Sequence, residues 1–235
     1  MRQIFSYRIV MMVIGACVLC GCAVAPVQIA ENKTPEAIPP GVRPKPVQLW
    51  KFVTKLPLGE QIGQFQYGWG CMPGSKIDWR GGPLNITGEE LIETFGKELK
   101  SNNYSVAGDP YALFDDPAVI KAEILVAGLV HKVDIRVCFP YSGSPNIDIG
   151  NTGTLKGGAF MRVTWQLYSR VAKKVIYETT TEGSYRTDET ITGGLPVVLR
   201  HAFAANVRNL LAEPGFRSAV INSAGPEPMP APQRL

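Results

Sequence analysis

The cysteines and histidines are the residues of this chain whose chemistry could go beyond packing. The sequence contains five cysteines and two histidines, which are Cys17, Cys20, Cys22, Cys71, Cys138, His131 and His201. A cysteine sulfur can be acylated, can bind a metal or can form a disulfide, and a histidine can act as a base or a metal ligand. The spacing of these residues decides among these chemistries.

The spacing favours neither a metal site nor a hydrolase. The segments around Cys71 and Cys138 lack the paired ligand spacing of zinc sites, and His131 and His201 lie far apart in the sequence. A serine hydrolase needs a base beside its nucleophile, and the chain has no Gly-x-Ser-x-Gly segment. We therefore expect no catalytic residue, no metal and no cofactor, and a protein that is not an enzyme.

The amino terminus has the organisation of a secretory leader. Arg2 and Arg8 accompany an apolar run over residues 9–19, which is too short to span a bilayer. The run ends at Leu19-Cys20-Gly21-Cys22, which resembles the lipobox of bacterial lipoproteins. The resemblance implies that residues 1–21 are removed as a signal peptide and that the Cys22 sulfur receives diacylglycerol, with palmitate among the acyl chains.

Two alternatives to acylation of Cys22 remain open. The segment Ile14-Gly15-Ala16-Cys17 is a second candidate lipobox, and an ordinary cleaved leader would carry no lipid. Cys22 is favoured because it leaves a longer apolar run and has leucine three positions before it. Each buried CH₂ group contributes about 0.8 kcal/mol, so several acyl chains would hold the protein on a membrane. Because Ala23 rather than aspartate follows, lipoprotein sorting implies the periplasmic face of the outer membrane.

Removal of the leader leaves Cys71 and Cys138 as the two thiols of the exported domain. The periplasm is oxidising, so we predict that they form a disulfide. Closing a loop of about 67 residues would stabilise the fold by about 3 to 4 kcal/mol. The alternative is a pair of buried free thiols.

The net charge argues against nucleic acid as a partner. The formal charge of +4 falls to +2 when Arg2 and Arg8 leave with the leader, and the basic residues are scattered. Nucleic-acid-binding domains are much more basic. We expect contact with a membrane through the lipid anchor and with a protein partner whose identity the sequence does not give.

Proline-rich segments flank one domain. Residues 22–48 hold few large apolar side chains and six prolines, Pro26, Pro35, Pro39, Pro40, Pro44 and Pro46. They predict an extended tether, and the similar residues 223–235 predict a disordered tail. Residues 49–222 remain as one periplasmic domain, whose size suits a single core.

Periodicity predicts the elements of this domain. Phe65, Tyr67 and Trp69 alternate as in a strand, and a capping box of Thr87 and Glu90 precedes an amphipathic helix that Asn102-Asn103 ends. A short strand at residues 104–106 follows. Residues 122–138 predict a long strand with a bulge at His131-Lys132, where the apolar parity changes.

Later residues complete an α+β pattern. Residues 159–167 and 175–181 alternate around a turn and predict a β-hairpin. Residues 195–211 predict a second helix that Pro214 ends, with further helical turns at residues 216–221. This order predicts a two-layer sandwich of a mostly antiparallel sheet with two main helices on one face.

Three parts of the chain carry a resemblance to a known module. They are residues 69–114, which begin Trp-Gly-Cys-Met-Pro-Gly, residues 161–170, which read Met-Arg-Val-Thr-Trp-Gln-Leu-Tyr-Ser-Arg, and residues 202–216, which begin Ala-Phe-Ala-Ala-Asn. They resemble the non-catalytic amino-terminal module that precedes trypsin-like peptidase domains in some proteobacterial proteins. The element order is also similar to the amino-terminal domain of the Tol translocation protein and to curli-secretion lipoproteins.

Together these features predict an outer-membrane-anchored periplasmic lipoprotein that is a non-enzymatic interaction or assembly module of an envelope complex. The alternative is an accessory or regulatory subunit of a separately encoded, trypsin-like envelope peptidase.

Overall fold

The computed structural model describes residues 26–82, 84, 86–107, 122–140 and 153–221. The leader, both candidate acylation sites and the predicted tail lie outside these residues. The strands are β1 (Val47–Thr54), β2 (Gln61–Tyr67), β3 (Met72–Asp78), β4 (Ile124–Phe139), β5 (Leu155–Ser169) and β6 (Lys174–Ile191). The helices are α1 (Gly88–Ser101), α2 (Gly194–Leu211) and α3 (Pro214–Ile221).

The six strands form one open sheet in the order β3-β2-β4-β5-β6, with β1 also paired to β4. The β2–β3, β4–β5 and β5–β6 pairs are antiparallel. β1 pairs in parallel with the first half of β4, and β2 pairs in parallel with its last residues. The predicted α+β fold with a mostly antiparallel sheet is confirmed.

The sequence patterns misplaced some elements at the start of the domain. β1 and β3 were not predicted, and Trp69 lies in the turn after β2 rather than in a strand. At residues 104–106 a single bridge joins Val106 to Val47 in place of the predicted short strand. Mixed polar and apolar residues in β3 give no alternation, because most of its side chains are exposed at the sheet edge.

The predicted bulge in β4 is confirmed. The β4–β5 register shifts between Val130 and Lys132. Before the shift, even-numbered residues such as Val126 are buried in the core, and after it odd-numbered residues such as Val137 are. The bulge keeps apolar residues on the core face of the sheet on both sides of the shift.

The helices cover one face of the sheet. In α1, the Glu90 backbone N–H donates to Thr87 Oγ1 at 3.2 Å and the Thr87 N–H donates to Glu90 Oε2 at 2.9 Å, which confirms the capping box. The second helix, α2, packs against β5 and β6. It approaches β6 so closely that a Cβ atom on Gly183 would lie 2.3 Å from the backbone nitrogen of Asn206.

A buried polar cluster fixes α2 on the sheet. The Trp165 Nε1–H lies 2.8 Å from Thr181 Oγ1 and 3.0 Å from Asn206 Oδ1. The Thr181 hydroxyl also donates to Asn206 Oδ1 at 2.6 Å, and Asn206 Nδ2 donates to the Met161 and Thr181 carbonyls. Because each polar group finds a partner, the cluster can be buried and can specify one position of the helix.

The segment predicted to be an extended tether packs against the domain instead. Residues 26–46, here called the strap, lie against the domain, and Val27, Ala30 and Ile38 are buried. Backbone contacts hold the strap: the Ile38 N–H donates to Asn102 O, and the Lys45 N–H donates to Val220 O. Composition predicted a tether because the strap cannot form its own core, but the domain supplies the surface on which its few apolar side chains are buried.

Candidate functional site

The sheet has an outer face, defined here as the face opposite α1 and α2. The strap crosses one part of it, where Val27 and Ala30 form a small apolar cluster with Phe160 of β5. The Ala30 N–H donates to Ser184 Oγ of β6 at 2.9 Å. A Cβ atom on Gly158 would lie 2.9 Å from Val27 Cγ1, so the glycine leaves room for the strap.

The strap is fastened to the helix layer where it leaves the outer face. The Lys33 N–H donates to Asn209 Oδ1 at 2.8 Å, and Asn209 Nδ2 donates to the Glu31 and Glu182 carbonyls at 2.7 and 2.6 Å. Lys33 Nζ also donates to Glu213 Oε1 at 2.7 Å, and this hydrogen bond raises the pKa of Lys33. One side chain of α2 therefore ties the strap to the edge strand β6.

A turn closed by hydrogen bonds and a disulfide joins β2 to β3. In residues 68–72, here called the hairpin tip, the Gly68 N–H donates to Phe139 O and the Cys71 N–H donates to Gly68 O, both at 3.0 Å. Cys71 has a φ of 50°, and its Cα lies 5.4 Å from that of Cys138, to which a disulfide joins it. Trp69 is 90% exposed on this turn.

The disulfide joins the two cysteines that the sequence paired. Cys138 lies on the outer face because the bulge in β4 reverses the parity of the strand, and the hairpin tip brings Cys71 to the same face. The bond spans 67 residues and links β4 to the β2–β3 hairpin. Such disulfides persist in oxidising compartments, which indicates an extracytoplasmic location.

An open cavity of about 210 Å³ lies beside the disulfide on the outer face. Its lining includes both cysteines, Pro26 and Val27 of the strap, the basic residues Arg136, Lys156 and Arg186, and the acidic residue Asp188. Arg186 lies 3.0 Å from Asp188, and Arg136 lies 3.0 Å from Asp134. Basic charge exceeds acidic charge in the lining, so the cavity favours an anionic neighbour.

The part of the outer face near the start of β4 is apolar. Its side chains, here called the outer patch, are Val53, Leu125, Ala127, Leu129 and Tyr168. Val53 pairs with Leu129 across β1 and β4, and Leu125 pairs with Tyr168 across β4 and β5, so the residues are contiguous. Val53 and Tyr168 are 36% and 37% exposed, and the other three side chains are half-buried. Contiguous exposed apolar side chains are typical of interaction surfaces.

The two histidines lie on opposite sides of the sheet. His131 is exposed at the bulge on the outer face. His201 of α2 stacks on Tyr185 with ring centroids 4.5 Å apart, and burial lowers its pKa. The fold therefore does not bring them into one site.

The described residues contain no group of three or more histidine, cysteine or acidic side chains that could hold a metal ion. In the same part of the chain, no helix has the length and apolar character needed to cross a membrane. Cys22 and Cys17 fall outside the described residues, so the predicted lipid site remains a prediction.

The sequence patterns did not identify Asn209 as a residue that fastens the strap. Its one distinguishing feature in the sequence is an amide side chain among the apolar residues of α2.

Fold and disulfide define this chain as a disulfide-containing, extracytoplasmic α+β domain. No family model matches the sequence, and no curated protein matches it. Solved structures show distant similarity. A Xanthomonas campestris protein described by the family model DUF330 is 12% identical with a TM-score of 0.37, over 79% of this chain and 91% of that one.

Two other structures are similar at the same distance. A PelC dodecamer from Paraburkholderia phytofirmans is 12% identical with a TM-score of 0.33, over 79% of this chain and 96% of that one. A hypothetical protein from Chlamydia trachomatis is 9% identical with a TM-score of 0.31, over 71% and 96%. Similarity at this level concerns the fold alone and assigns no residue a role.

Proposed function

We propose that this chain is an outer-membrane lipoprotein, acylated at Cys22, that acts as a non-enzymatic interaction module of an envelope complex. It binds a partner protein through the outer patch. The contiguity of that patch is the observation on which the proposal depends.

The composition of the outer patch supports a protein partner. Sheets with one solvated face usually carry polar residues on that face, whereas Leu125, Ala127 and Leu129 of β4 are apolar. Polar pairs border the patch: the Thr164 and Thr180 hydroxyls lie 2.8 Å apart, and Gln166 Nε2 donates to Glu178 Oε2 at 2.6 Å. An apolar centre with a polar rim is the usual composition of a protein–protein interface.

The strap supports the anchoring half of the proposal. Four positions separate Cys22 from Pro26, where the described strap begins. Because the strap is fastened by Asn209 and Ser184, acylation at Cys22 would hold the whole domain near the leaflet. Confinement to a membrane raises the effective concentration of a partner confined there as well.

Mass spectrometry and photo-crosslinking test the two halves separately. The amino-terminal peptide of the membrane-extracted protein should carry the mass of the acylated Cys22, and Cys22→Ser should remove it. A photoreactive amino acid at Leu129 should form a discrete protein adduct in cells. The control position is Ile92 on α1, which is 38% exposed. If position 129 gives no more adduct than position 92, the outer patch is not the binding surface.

A second proposal, an accessory subunit of a trypsin-like envelope peptidase, rests on the resemblance of residues 69–114, 161–170 and 202–216. Trp165 and Asn206, which belong to the latter two segments, are buried in the core. The resemblance therefore includes core positions, which constrain fold more than function. A neighbouring peptidase gene and a change in peptidase activity on deletion of this chain would favour this proposal, and unchanged activity would remove it.

The proposal that the chain is not an enzyme is tested directly. The purified protein should hydrolyse neither peptide nor glycan substrates. Hydrolysis that a single substitution abolishes would contradict it.

A further inference from the structure

The hairpin tip exposes two large apolar side chains at a fixed position. Trp69 is 90% exposed and Met72 is 67% exposed. The turn that carries them is closed by the hydrogen bond from the Cys71 N–H to Gly68 O and is crosslinked to β4 by the disulfide. A backbone held in this way loses little conformational entropy when the turn binds, which suits a contact surface.

The strap brings the proposed anchor close to this tip. Pro26 and Val27 line the same cavity as Cys71 and Cys138. Four positions separate Cys22 from Pro26, and an extended chain of that length spans at most about 14 Å. The described strap therefore begins on the side of the domain that carries the disulfide and the hairpin tip, within this reach of the proposed anchor.

The charges around the tip complement an anionic membrane surface. Arg136, Lys156 and Arg186 line the cavity. Arg136 is paired with Asp134 and Arg186 with Asp188, so basic charge exceeds acidic charge by one. Basic residues beside a membrane-facing segment are attracted by anionic lipid head groups. Tryptophan is enriched at membrane–water interfaces, because its ring has an apolar body and a polar N–H.

From these three observations we propose that the hairpin tip enters the lipid leaflet beside the acyl anchor, with Trp69 and Met72 at the level of the upper acyl chains. The basic cavity then lies over phospholipid head groups. This inference rests on the proposed acylation of Cys22. It orients the domain so that the outer patch, at the opposite end of β4, is held away from the lipid and accessible to a partner.

Trp50 provides an internal control for this orientation. It is 67% exposed, and its neighbours Leu49 and Lys51 in β1 pair with Val126 and Ala127 of β4. Cys138 lies twelve residues further along β4, a distance of about 40 Å in a strand. The other two tryptophans, Trp79 and Trp165, are buried.

The test uses the full acylated chain in vesicles of phosphatidylethanolamine and phosphatidylglycerol, with or without bromine on the lipid acyl chains. Brominated lipid should quench tryptophan emission in the unmodified protein and in Trp50→Phe, and the quenching should be lost in Trp69→Phe. The Trp69 side chain is almost fully exposed, so its substitution leaves the fold intact. Replacing Lys156 and Arg186 together with glutamine should reduce the quenched fraction.

The outcomes separate this inference from the proposed function. An acylated protein whose emission brominated lipid does not quench, or quenches equally in Trp69→Phe, overturns the membrane-inserted tip and leaves the anchor in place. A protein whose amino-terminal peptide carries no lipid overturns both. Trp69 could also become shielded from solvent as the protein concentration rises in detergent without vesicles. In that case the tip contacts a second copy of the chain, which overturns the inference as well.

Discussion

The backbone N–H of Lys33 donates a hydrogen bond to the Asn209 side-chain oxygen at 2.8 Å, although the two residues lie 176 positions apart. The amide nitrogen of the same side chain donates to the Glu31 and Glu182 carbonyls. Asn209 thus joins the strap, the edge strand β6 and α2 at one point. The strap is part of the folded domain because its backbone groups find partners there.

Asn209→Asp should therefore loosen the strap. A carboxylate can still accept from the Lys33 N–H, but it cannot donate and would face the Glu31 and Glu182 carbonyl oxygens. We expect a loss of about 2 to 3 kcal/mol in the free energy of unfolding. Amide exchange should accelerate at residues 27–33, as measured by mass spectrometry. Ser184→Ala, which removes one hydrogen bond to the strap, should have a smaller effect. Equal protection of the strap in Asn209→Asp would contradict the role of this residue.

Two glycine-to-alanine substitutions should change stability in opposite directions. A Cβ atom on Gly183 would lie 2.3 Å from Asn206 N and 2.5 Å from Ala202 O, both backbone atoms of α2. Gly183→Ala should therefore destabilise the fold by about 2 to 3 kcal/mol, because the helix must move. Gly96 lies within α1, and its added Cβ would meet only Val106 Cγ1 at 3.7 Å.

Gly96→Ala should stabilise the fold by about 0.5 to 1 kcal/mol, since alanine restricts the unfolded chain and favours the helix. Urea titration of both variants measures the difference. A stabilising Gly183→Ala would show that α2 does not pack on β6 at this point.

Removal of the disulfide should lower stability without changing the fold. The bond closes a loop of 67 residues. Cys71→Ser combined with Cys138→Ser should reduce the free energy of unfolding by about 3 to 4 kcal/mol in the chain-entropy view. Reduction of the unmodified protein should give the same midpoint of unfolding in urea. A loss below about 1 kcal/mol would indicate that β2–β4 pairing alone holds the hairpin tip in place.

Sequence patterns predicted the elements whose burial is periodic. The parity change at His131-Lys132 predicted the bulge, because core-facing positions must stay apolar on both sides of it. The capping box at Thr87 and Glu90 predicted the start of α1, since it depends on four consecutive residues alone. The Cys71–Cys138 pairing followed from the number of cysteines left after the leader.

The strap and the outer patch could not be predicted in the same way. Val27, Ala30 and Ile38 look isolated in a proline-rich sequence, and their burial depends on surfaces that residues far along the chain provide. The outer patch combines Val53 with Leu129 through a parallel pairing of β1 with β4, and no local pattern specifies that pairing. Both the strap and the outer patch depend on contacts between residues far apart in the sequence. The periodicity of apolar residues indicates only which side of one helix or strand is buried.

Stability should fall as the solution becomes acidic, and His201 should contribute to this fall. Burial and the neighbouring Arg200, Arg208 and Lys97 lower the pKa of His201 below its ordinary value of 6.5, while Glu98 opposes this shift. Below pH 6.5 the unfolded chain therefore binds a proton at this position more readily than the folded protein does, so protonation favours unfolding. At higher pH the imidazole is neutral in both states and the contribution vanishes.

His201→Gln should make the free energy of unfolding less dependent on pH below 6.5, as measured by urea titration at several pH values. Because the side chain is exposed on α2, the change should be modest. His131→Gln, at the exposed bulge, is the matched control and removes the other histidine. If His201→Gln leaves the slope unchanged, or if its slope becomes steeper, the stacked imidazole on Tyr185 is not the group that resists protonation.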